Sequence, residues 1–89
     1  MLMPYSAPAP AELVNQGRVT SSIDANAFTY IEVERNGHTE WIAAPLMAIK
    51  PGNRIRYEEG SVMRDFYSKL LKRTFDSVMF VGHVEIMGD

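Results

Sequence analysis

The sixteen residues Phe28–Ala43, FTYIEVERNGHTEWIA, decide the fold. Phe28–Arg35 alternates in polarity and is rich in β-branched and aromatic side chains, so it reads as a strand. Asn36-Gly37 follows, a pair suited to a type I′ turn, in which both central residues take positive φ. His38–Ala43 returns as the partner strand. A two-residue loop leaves one register: Arg35 opposite His38, Glu32 opposite Trp41, Ile31 opposite Ile42 and Tyr30 opposite Ala43. Opposed residues share a face. Ile31, Val33 and Ile42 therefore line one side, while Phe28, Tyr30 and Trp41 line the other beside Glu32 and Glu34.

Working outward from this hairpin, Leu13–Asp24 carries Val14, Val19 and Ile23 among hydroxyl residues and reads as a long strand, with Gly17 at a bend or bulge. Asp24–Ala27 is a turn. Downstream, Pro51-Gly52-Asn53 is a tight turn, and Arg54–Glu58 is a short strand stopped by Gly60. Val78–Met87 is a long final strand with Gly82 at a bend. Residues 61–76 admit two forms. The apolar pairs Val62/Met63, Phe66/Tyr67 and Leu70/Leu71 recur every four residues, which makes a stripe on a helix from Val62 to Arg73 capped by Ser61. The same segment can instead run as an extended lobe whose Phe66, Leu71 and Phe75 plug the mouth of a barrel.

Five strands at this length must close to hide their edges. The economical closed form is the five-stranded Greek-key barrel of the OB-fold, with the short helix or extended lobe between strands 4 and 5. An SH3-like barrel competes, although it usually has shorter strands and no such segment before the last one.

Eighty-nine residues suffice for one domain. Residues 13–89 are expected to form it. Residues 1–12, with Pro4, Pro8 and Pro10, are expected to be a flexible arm. Cysteine is absent, which removes disulfides, zinc fingers, iron–sulfur ligation and thiol catalysis. No apolar run approaches the ~18 residues of a membrane span. The arm lacks the charged and apolar regions of an intact signal peptide, yet small residues and proline are what often follows a cleavage site, so a cytoplasmic protein with a loose start and a mature exported one both fit.

Gly17-x-Val19, Phe28-Thr29-Tyr30, Trp41-x-Ala43-Ala44-Pro45, Ile49-Lys50-x-Gly52 and above all Ser68-Lys69-x-Leu71-x-Arg73-Thr74-Phe75-Asp76 resemble the small exported bacterial OB-fold proteins of the NrfJ-like group. The resemblance spans roughly residues 17–81. It implies an OB-fold and export to the periplasm through a cleaved signal peptide. It also carries a nucleic-acid-binding label that rests on fold analogy.

Two candidate contact surfaces follow. With the aliphatic side of the hairpin inward, Phe28, Tyr30 and Trp41 stand outside, where OB-folds hold oligonucleotides and oligosaccharides and where rings act as stacking platforms. The competing role for the same rings is packing beneath the arm or beneath residues 61–76. The second surface is electrostatic. The chain has nine Lys+Arg and eleven Asp+Glu, a net −2, but residues 50–73 hold seven of the bases and three of the acids, a net +4, leaving −6 elsewhere. Arg64, Lys69, Lys72 and Arg73 are the candidates of this basic segment, which otherwise serves as a solvated face over the core.

A soft-metal site would draw on His38, Trp41, Met47 and Met63. The hairpin register puts His38 and Trp41 on opposite faces, and methionine in a small core is usually filler. No metal and no cofactor is expected, with His38 and Met47 the candidates should one bind. The chain has no P-loop and no Gly-x-Ser-x-Gly, so an enzyme is not expected. The sequence points to an exported binding or accessory module. Its partner would be a protein or small ligand of the cell envelope, with single-stranded nucleic acid as the alternative and a Cu(I) carrier as the lesser one.

Overall fold

The computed structural model describes residues 12–88. The expected arm, residues 1–12, lies outside them except for Glu12. The described chain is all-β, with seven strands: β1 (Asn15–Asp24), β2 (Thr29–Arg35), β3 (His38–Ala44), β4 (Arg54–Tyr57), β5 (Ser61–Ser68), β6 (Arg73–Phe80) and β7 (Val84–Gly88). They form one sheet in the order β5-β6-β3-β2-β1-β4-β7.

The β2–β3 hairpin has the register that Asn36-Gly37 dictates, from Arg35 opposite His38 to Thr29 opposite Ala44. Asn36 and Gly37 take φ of 52° and 78°, as a type I′ turn requires. β1 pairs with β2 through a bulge between Val19 and Ser21. Gly17 serves a different end from the expected bend: a Cβ there would lie 2.3 Å from Val33 Cγ1 and 2.9 Å from the Glu34 carbonyl oxygen, so only glycine lets β1 lie this close to β2. The turn at Pro51-Gly52 locks onto β1, with the Val19 N–H donating to the Asn53 carbonyl and the Gly52 N–H to the Val19 carbonyl, each at 2.8 Å.

Two expectations are corrected. The strands number seven, not five, and the hydrogen-bonded order is open, with β5 and β7 at its ends, where a closed five-stranded OB barrel was expected. Residues 61–76 contain no helix. They form a two-stranded arm, β5 against β6, turning at Lys69–Lys72. The apolar pairs that suggest a helical stripe are cross-strand partners instead, Phe66 with Phe75, Met63 with Val78 and Val62 with Met79. This is the extended form of the segment.

The expected last strand divides in two. β6 runs beside β3, in parallel, and β7 runs beside β4. Five inter-strand steps separate β6 from β7 in the sheet, about 24 Å if it were flat. Only residues 81–83 join them, a reach of about 15 Å at most. The sheet is therefore strongly curled. Glu58 secures the corner: its carboxylate accepts the backbone N–H groups of Gly82 and His83.

Curling produces two clusters on the two sides of the sheet. Val19, Ile31, Val33, Ile42, Ala44, Ile55, Tyr57, Met79 and Val81 form the first, with Met47, Ile49 and Val84 at its margin. Ala25, Tyr30, Ala43, Phe75 and Val78 form the second, joined by Ile23, Trp41, Phe66, Leu71 and Phe80. Phe75 and Val78 are three positions apart and would face opposite sides of a regular strand, yet both enter the second cluster. Between their partners on β5, Asp65 holds φ at 51°, a break in the regular extended backbone of the strand.

Candidate functional site

The aromatic face of the hairpin is largely covered. Tyr30 is 4% exposed and stacks on Phe75, with ring centroids 5.0 Å apart and planes 14° apart. Phe66 adds a tilted contact to Tyr30 at 6.5 Å. Tyr30 is thus packing, and the expected platform of three open rings is not what forms. Phe28 remains at the margin, 37% exposed and edge-on to Phe80. Trp41 is half-buried, edge-on to Phe75 at 5.2 Å.

Trp41 stands where two strands part. β3 and β6 pair only over Trp41–Ala43 and Val78–Phe80. Before that contact, Arg73–Ser77 belongs to the arm and is held by β5, so β3 and β6 diverge. The fork between them is a groove of about 410 Å³. It is lined by apolar Trp41, Phe75, Val62 and Met79, by the carboxylates of Glu40, Glu59 and Asp76, and by the hydroxyls of Thr39, Thr74 and Ser77. Arg73 lies across the rings, its guanidinium carbon 5.0 Å from the Trp41 centroid and 4.4 Å from that of Phe75. An exposed cation–π contact contributes only about 0.5–1 kcal/mol, so an arriving ligand can displace this side chain.

Glu40 is the structural member of the set. It accepts the Tyr57 hydroxyl at 2.5 Å and lies 3.5 Å from Arg35 Nε. Tyr57 is fully buried, and burial, followed by the hydrogen bond to the Glu40 carboxylate and its negative charge, pushes the phenol well above its ordinary range. Glu59 and Asp76 are exposed and face the groove. Rings lined together with carboxylates and hydroxyls suit a polyhydroxylated or cationic group and repel a polyanion.

The four basic candidates separate. Arg73 belongs to the groove. Lys69 and Lys72 sit at the turn of the arm, and Arg64 lies midway along β5, all exposed. His38 is exposed at the Asn36-Gly37 turn, whereas Met47 follows the far end of β3 and packs at the margin of the first cluster. About 20 Å of strand lies between the ends of β3, so the two candidate metal ligands are not brought together. Among the described residues no three His, Cys, Asp or Glu side chains are grouped to hold a metal ion, and no helix is long and apolar enough to cross a membrane.

Sequence reasoning finds Trp41 and Arg73 separately and misses their juxtaposition. The available signal was the step from Arg73 to Phe75 on a segment already suspected of covering the barrel. Compared with protein-family models, curated proteins and solved structures, the chain matches none.

Proposed function

We propose that the chain is a non-enzymatic OB-type binding or accessory module of an exported protein, taking a small ligand or a protein partner of the cell envelope. β1, β2 and β3 form a meander, β3 lies parallel to β6, and β4 bridges β1 and β7. Counting β6 and β7 as one strand bent at 81–83, and β5 as an addition to it, the strand order and the curl of the sheet support the OB reading. Resemblance to the exported NrfJ-like proteins points the same way.

The observation that carries the functional reading is the fork groove, where Arg73 lies over Trp41 and Phe75 and carboxylates and hydroxyls share the lining. Small-ligand sites have this character: an apolar floor with a few convergent polar groups. The acid-free stretch 66–75, with Lys69, Lys72 and Arg73, keeps single-stranded nucleic acid as the second reading.

Trp41 is the sole tryptophan, so its emission reports on the groove directly. Titration with a neutral oligosaccharide, a lysine-containing tripeptide and a thymidine oligonucleotide at low salt separates the readings. A saturable shift with sugar or peptide, lost in Asp76→Ala, is the expected result. A shift with the oligonucleotide alone, steeply weakened by salt, transfers the function to nucleic acid. Silence with all three removes the groove as a ligand site.

A further inference from the structure

We infer that the tip of the β5–β6 arm docks onto an anionic lipid surface. Across residues 66–75, FYSKLLKRTF, there are three bases and no acid. The turn Lys69–Lys72 closes with Lys72 at φ 53° and with the Leu71 N–H donating to Ser68 Oγ at 3.3 Å. That geometry sends the two leucines in different directions. Leu71 joins the second cluster, while Leu70 is 56% exposed at the end of the arm. Lys69 and Lys72 are exposed around it, and Tyr67, 54% exposed, stands just behind.

An apolar apex, a basic collar and a tyrosine one step back match the layering of a bilayer interface. The aliphatic group enters the acyl boundary, cations meet anionic headgroups, and tyrosine favours the level between them. Charge selects the occupant. The acid-free tip opposes a molecule that is net −2 overall, so an anionic sheet of headgroups attracts the tip and repels the remainder, which orients the domain. At the turn itself Leu70 is the one exposed aliphatic side chain, with the lysines on either side of it, while Val62, Met63 and Tyr67, also exposed, lie back along β5.

This inference rests on the proposed contact role of the basic arm and is independent of the groove. The experiment is co-sedimentation of the full chain with vesicles of phosphatidylcholine, alone or mixed with phosphatidylglycerol. Binding is expected only to the mixed vesicles and to fall with added salt. Leu70→Ser should weaken it by about tenfold, the loss of one partly buried aliphatic side chain. Lys69→Glu with Lys72→Glu should abolish it. Leu46→Ser is the control, because Leu46 is 54% exposed and lies outside the arm. Trp41 emission verifies that each variant folds.

No sedimentation with mixed vesicles at low salt overturns the inference, and so does binding indifferent to Leu70→Ser, which would be adsorption by charge alone. An equal loss in Leu46→Ser overturns it as well. Vesicle binding that persists when Trp41 ignores every soluble ligand would refute the groove while leaving the tip. The converse pattern would refute the tip alone.

Discussion

Tyr57 joins a buried ring to a charged partner. It is wholly buried in the first cluster, and its hydroxyl has the Glu40 carboxylate for a partner. Ionisation would place a phenolate in apolar surroundings against an existing negative charge, so the folded state holds the proton far more tightly than the unfolded chain does. The sign of the linkage follows. For an acid whose folded pKa is raised, the stabilisation is complete below the unfolded value of about 10 and is lost as pH rises above it, because only the unfolded state then releases its proton. Urea unfolding should show a steep loss of stability above about pH 10. Tyr57→Phe should cost about 1–2 kcal/mol near neutral pH, where one hydrogen bond to a charged acceptor disappears, and should flatten the alkaline limb. An alkaline limb as steep in Tyr57→Phe as in the parent would show that another group is responsible.

At the scale of the element, the β5–β6 arm is the cover of the second cluster. Phe75 holds it there, stacked on Tyr30, edge-on to Trp41 and itself 2% exposed. Phe75→Ala should cost about 3–5 kcal/mol, the usual range for a buried phenylalanine. It should also shift Trp41 emission to the red as water reaches the ring, whereas Lys69→Ala at the exposed turn should leave both stability and emission unchanged. The contrast between the hairpin and the arm explains what could be read in advance. Asn36-Gly37 is a local signal with one geometric outcome, so the β2–β3 register and both of its faces were legible from a dozen residues. The arm was not, because adjacent apolar pairs four residues apart suit a helical stripe and a cross-strand ladder equally. What decides is pairing between Val62–Ser68 and Arg73–Met79, together with the burial of Tyr30 more than thirty positions upstream. Such contacts leave no local periodicity. For the same reason the two halves of the groove were visible only as separate residues.

For the whole molecule, the two clusters lie back to back across β2 and β3, which place Ile31 and Ile42 on one side and Tyr30 and Ala43 on the other. These strands have neighbours on both edges, whereas among the described residues β5 pairs with β6 alone and leaves its outer edge bare. The bare edge is interrupted by charged Arg64 and Asp65 and by the left-handed backbone at Asp65, features that discourage another strand from extending the sheet. Stability should therefore grade across the fold. Amides of Ile31, Val33 and Ile42, at 0% exposure, should exchange with solvent only through global unfolding and report its full free energy. Those β5 amides that point away from β6 should exchange through local opening, faster by about a hundredfold or more. Added urea should accelerate the first group along the global unfolding slope and barely change the second. Equal protection in β2 and along the outer edge of β5 would mean that the edge is covered in solution, by a second copy of the chain if protection then rises with protein concentration.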